Sequence, residues 1–178
     1  MVKVWYARDS VVKVAEAISS IPTDAALDTA TEWSSGYALH AVGKNITITE
    51  PEGSIDKIDL LGEDANNFQN AELDKKPFGL AKISGTLILD GDETLETYAY
   101  GSGTTISTTH TRYQAGDGSR TACAFLVNLD DGTNEVNIVL NNAYITKIGD
   151  RKITADGHWE VDFEAVCLPK DYYVEFKD

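Results

Sequence analysis

A chain of 178 residues, 42% hydrophobic and 25% charged, has the make-up of one folded domain that buries a core without disulfide staples. Its 29 acidic and 15 basic residues leave a formal charge of -14, and Lys75-Lys76 and Arg151-Lys152 are the only basic doublets. That balance argues against direct binding of nucleic acid or anionic lipid, both of which need a cationic patch. Cys123 and Cys167 suit two buried thiols, and no apolar run reaches the length of a leader or a membrane span. A soluble protein folding in a reducing cytoplasm is expected.

In chain order, Val2 to Tyr6 predicts a short strand. Val11, Val14, Ala15 and Ile18 then fall at i, i+3, i+4 and i+7, which predicts a helix over residues 10–21, started by Asp9 or Ser10 and stopped by Pro22. Thr23 to Ser35 is small and polar, with Leu27 and Trp33 as anchors. From Gly36 the pattern is β. Ile46 and Ile48 alternate with threonines, Glu50-Pro51-Glu52-Gly53 makes a turn, and Ile55 to Leu61 returns as a strand. Gly62 to Gly79 has no sustained period and is expected to be a long loop, a length that inside a compact domain is usually functional or disordered.

Lys82 to Leu89 predicts a strand with Ile83, Gly85, Leu87 and Leu89 on one side. Asp90 and Glu93 have capping-box spacing for a short helix whose stripe is Leu95, Tyr98 and Ala99, ended by Gly101. Ala122 to Leu129 and Glu135 to Ile145 flank Asp131-Gly132, a hairpin signal. After a turn at Gly149-Asp150, Ile153 to Leu168 closes the chain, with Trp159, Val161, Phe163, Ala165 and Cys167 on one face and His158, Glu160, Asp162 and Glu164 on the other. The sum is a mostly β fold, an antiparallel sandwich or barrel with one or two flanking helices. One domain spans residues 1–178: an arm and helix over 1–35, then a β core over 36–178 carrying the loop 62–79.

No catalytic set emerges, and the chain is read as a non-enzyme. His158, Glu160 and Asp162 share a strand face as metal ligands do, yet a solvated face has the same pattern and no second cluster supplies further ligands. His40 and His110 sit in no nucleophile motif, and Cys123 lies in an apolar strand that would keep its thiol protonated. Gly101-Ser102-Gly103 lacks the lysine of a phosphate loop, and Asp130-Asp131-Gly132 lacks the later ligands of a calcium loop. No cofactor or metal is expected.

One family does match the order of elements. A strand ending in Leu87-Ile88-Leu89-Asp90-Gly91 leads into the helix Glu93 to Tyr98, then come Asn142 to Asp150 and the strand Gly157 to Phe163. This resembles the major tail tube protein of long-tailed bacteriophages and tailed archaeal viruses, over roughly residues 36–178. The resemblance implies a subunit of stacked, hexameric rings forming the tube through which viral DNA passes without specific binding. It implies partners among copies of itself and the tape-measure, terminator and baseplate or tip proteins, and a place in the virion tail after assembly in the host cytoplasm, with no membrane. On this reading the loop residues Asp64, Phe68, Leu73, Lys75, Lys76 and Phe78 make the contact between rings. His158, Glu160, Asp162 and Glu164 line the lumen. The alternatives are another virion or tail-completion protein, or a carbohydrate-binding module that would need Trp33, Tyr37 or Trp159 exposed as a platform.

Overall fold

In the computed structural model, which describes residues 11–38, 46–51, 55–58, 72–75, 79–89, 94–114, 120–153 and 159–177, strands dominate and one α-helix is present among the described residues. The organising element is a strand of 19 residues, β10 (Glu135–Ile153), which belongs to two sheets at once. Its first half lies between β9 (Cys123–Asp130) and β12 (Tyr172–Phe176). Its second half pairs with β11 (Trp159–Cys167). β11 and β12 follow each other along the same flank of β10, separated by a short 3₁₀ turn at Pro169–Asp171. The ribbon therefore bends as a unit where β10 has its register shift between Leu140 and Ala143. Asn142 takes the bend with a left-handed φ of 46°, a conformation its short amide tolerates, and donates from Nδ2 to Asp171 Oδ1 at 3.1 Å.

The first sheet runs β2 (Tyr37–Ala38), β1 (Val11–Glu16), β9, the first half of β10 and β12. The second runs from the other half of β10 through β11 and β6 (Ala81–Leu89) to β3 (Thr47–Thr49). Together they make a curled antiparallel sheet whose concave side holds Val14, Ile83, Phe125, Leu140, Ile145, Val161 and Phe163. Phe125 and Phe163 stack across it with ring centroids 5.7 Å apart. The helix α1 (Thr94–Tyr100) closes this core with Leu95 and Ala99, and Gly101 ends it at φ 81°.

A strand occupies residues 11–16, where the helical period had pointed to a helix. The first sheet is covered on both faces, so Val14 packs inward while Ala15 packs outward against Leu27, Trp33, Leu126 and Val139. Apolar residues of both parities imitate the helical spacing. Ile18 completes the false stripe from beyond the strand, where the Asn141 amide holds it: Ile18 N–H donates to Oδ1 at 2.8 Å and Nδ2 donates to Ile18 O at 3.0 Å. Leu27 and Trp33 are the anchors expected of the arm, and Trp33 Nε1 donates to Leu27 O at 2.9 Å.

Three further expectations change. Gly149-Asp150 makes no turn. β10 runs through it with a register shift between Ile148 and Arg151, and a Cβ on Gly149 would come within 3.0 Å of Asp162 Cβ, so the glycine permits a close approach of strands. β4 (Ile55–Ile58) does not return along β3, which pairs with β6 instead. Its partner is β5 (Glu72–Lys75), a strand inside the span expected to be loop. The Val2–Tyr6 strand, the capping pair Asp90 and Glu93, and the side chains of Leu87 and Leu89 lie outside the described residues.

Candidate assembly surfaces

The charged face of β11 forms the outer side of the second sheet. Glu160, Asp162 and Glu164 are half-exposed there, while Val161, Phe163, Ala165 and Cys167 are buried behind them, as the alternation had indicated. His158 and the side chain of Trp159 lie outside the described residues. The register brings lysines alongside the acids. Lys82 Nζ sits 2.7 Å from Glu164 Oε2, and Lys152 Nζ 3.5 Å from Asp162 Oδ2. Thr86 Oγ1 donates to Asp162 Oδ1 at 2.6 Å, and this bond, followed by Lys152, holds the Asp162 carboxyl below the usual range. This face is charge-balanced, and two of the three described candidates for an acidic wall already have cationic partners. A shallow groove of about 250 Å³ crosses it between Ser84–Thr86, Lys147 and Asp162–Glu164.

At one end the same face turns apolar. Leu80 precedes β6 and Leu168 follows β11, and they flank the Ala81–Cys167 pair at 53% and 51% exposure. Tyr144 lies opposite Val166 in the ladder and is 46% exposed. Val174 and Phe176 are exposed on β12, at the margin of the first sheet, and Ile153 ends β10 at 71% exposure. Beyond Ala143, β10 has no strand partner on its β9 flank among the described residues, and β3 covers only Lys82–Ser84 of β6. Unpaired edges beside exposed apolar side chains are templates for another chain.

Two hairpins stand apart from this sheet. In the first, β4–β5, Leu73 and Lys75 of the proposed inter-ring set lie on β5, opposite Lys57 and Ile55. Asp64, Phe68, Lys76 and Phe78 lie outside the described residues. The second comprises β7 (Thr104–Ser107) and β8 (His110–Arg112), every residue of which is exposed, Ile106 at 52%. Sequence reasoning missed this hairpin. Its Ser/Thr-rich run lacks apolar alternation because neither face is buried. Gly103 and Tyr113 mark its base, where a Cβ on Gly103 would strike Thr111 and the Tyr113 ring.

The first sheet ends in carboxyls around the β9–β10 turn. Asp130 faces Glu135 in the ladder, and Gly132 takes a φ of 86° while the Asp131 carboxylate accepts from Thr133 and Asn134 N–H. Beside them Glu175 accepts from Leu27 N–H at 2.9 Å, and Lys177 pairs with Glu135 at 3.5 Å. Burial, then the neighbouring Glu135 and Glu175, push the Asp28 carboxyl above its usual range.

Other reactive groups among the described residues are buried or paired. Burial pushes both Cys123 and Cys167 up to about 12, leaving two free, protonated thiols. Glu96 on α1 is buried and pairs with Arg151 on β10 at 2.5 Å, which ties the helix to the second sheet. Trp33 is buried between the arm and the first sheet and is no sugar platform. Among the described residues no three His, Cys, Asp or Glu side chains are grouped to hold a metal.

No protein-family model matches the chain, and no curated protein does. Solved structures that resemble it include two parts of an extracellular contractile injection system. One is the sheath/tube terminator of the PVC extracellular contractile injection system in the extended state, 11% identical over 96% of this chain and 94% of that one, with a TM-score of 0.48. The other is the sheath-tube complex of such a system, 12% identical over 93% and 87%, with a TM-score of 0.46. No residue here inherits a role from either. The class that the fold defines is a mostly β, curled antiparallel sheet with a single helix among the described residues.

Proposed function

We propose that the chain is a structural subunit that assembles with copies of itself, as part of a tail or injection-apparatus tube. The observation that carries the reading is the conjunction, among the described residues, of open sheet edges with exposed apolar side chains: Tyr144 lies on β10 beyond its pairing with β9, Val174 and Phe176 lie on the edge strand β12, and Leu80, Ile153 and Leu168 are exposed at strand ends. A monomer managing its own edges would cover or charge them. The finer picture of stacked hexameric rings conducting DNA, with tape-measure, terminator and baseplate or tip proteins as neighbours, rests on the resemblance in element order. The paired lysines modify it, because the β11 face would give a lumen close to neutrality. Obligate interfaces commonly bury about 2,000 Å² or more, so the concentrated protein should form rings or tubes visible by electron microscopy. A compact monomer by light scattering at every concentration and salt, alone and with tail extracts, would overturn the proposal.

A further inference from the structure

The β7–β8 hairpin and the β9–β10 turn differ in charge, although Glu16 lies opposite Cys123 at the hairpin's end of the sheet. From Gly101 to Gly116 the chain has no Asp or Glu, although it carries 29 of them in total, and the β7–β8 hairpin presents Arg112, His110 and Ile106 to solvent. Arg112 has no ion-pair partner among the described residues. A free two-stranded hairpin is marginal in water, so this one gains from a surface to lie on. Its root is at the Cys123 end of β9: Thr121 N–H donates to Tyr98 O at 3.1 Å, and Tyr113 Oη bonds Thr97 Oγ1 at 3.1 Å. The opposite end of β9 is the carboxyl cluster of Asp28, Asp130, Asp131, Glu135 and Glu175. Eight residues of strand separate the two ends by about 26 Å at about 3.3 Å per residue.

We propose that copies of this chain associate head to tail, the β7–β8 hairpin of one copy docking on the carboxyl-rich Asp130 end of the first sheet in the next. The occupant is a second copy because the same chain carries both complementary surfaces on opposite ends, and such a heterologous contact repeats along one direction. This deepens the self-assembly reading and rests on it. The contact is electrostatic and should weaken as salt shortens the screening length from about 10 Å at 0.1 M to about 3 Å at 1 M.

Two variants separate the surfaces. In one, residues 104–112 are replaced by a short Gly/Ser link, which removes the docking arm and no core residue. In the other, Asp130→Asn and Asp131→Asn keep the carbonyl oxygens that accept the turn N–H groups but remove both charges. Circular dichroism and melting should match wild type in both; if the shortened chain melts early, Arg112→Glu replaces it. By sedimentation, wild type should assemble, the shortened chain should not, and the double Asn variant should need about tenfold more protein. Mixed at equal amounts, the two variants should form a one-to-one complex, since one retains the hairpin and the other the acidic end. Wild type and both variants assembling alike would overturn the docking and leave self-assembly standing, as would two impaired variants that fail to complement. A wild type that never assembles would overturn both.

Discussion

Asn141 is the residue on which the arm depends. It is 3% exposed and mimics a strand partner for Ile18, accepting from its N–H at 2.8 Å and donating to its C=O at 3.0 Å. Asn141→Ala removes both bonds and leaves two backbone groups of a residue 4% exposed without partners. Each orphaned group costs about 1–3 kcal/mol, so the loss should be about 2–6 kcal/mol, a large fraction of the roughly 5–15 kcal/mol that holds a domain together. With a urea m-value of about 2 kcal/mol/M, the midpoint should fall by about 1–3 M. Urea unfolding followed by far-UV circular dichroism and tryptophan fluorescence measures this, and hydrogen exchange at the Ile18 amide reports the bond directly. Asn141→Asp keeps the acceptor but loses the donor and buries a charge, so it should be no milder. A midpoint shift below about 0.3 M with the Ile18 amide still protected would refute the reasoning, since the backbone would have found other partners.

The Asp28 carboxyl, raised above its usual range by burial and by Glu135 and Glu175, makes the folded state hold a proton that the unfolded chain releases. Stability should therefore fall as pH rises from the ordinary carboxylate value through the raised one, and Asp28→Asn should flatten that slope and be no less stable at neutral pH; thermal melts between pH 4 and 8 decide it, and an unchanged slope would count against the cluster. Cys123 and Cys167, both pushed up to about 12, should resist iodoacetamide at pH 8 in the native protein and react together once urea unfolds it; rapid labelling of Cys123 under native conditions would contradict its burial.

Local chemistry was enough for several elements. Asp131-Gly132 specified the β9–β10 turn because only a residue free to take positive φ closes so short a loop. The alternation from Val161 to Cys167 marked a strand with one wet face, and Leu95 and Ala99 marked the face of α1. The mostly β class and the buried thiols followed from the same reading. Tertiary structure decided the rest, for one recurrent reason. Pattern records whether a residue is buried but not what buries it, so β1, covered by the core on one side and by the arm on the other, imitated a helix. Glycine at 149 signalled a turn by its type, whereas in the fold it admits Asp162 of the neighbouring strand. The candidate surfaces divide the same way. The sequence by itself established that Glu160, Asp162 and Glu164 share a face and that residues from Gly101 to Gly116 lack carboxylates. Only strand pairing across distant segments set Lys82 and Lys152 against those acids, and placed the uncharged-to-basic hairpin and the carboxyl cluster at opposite ends of one sheet.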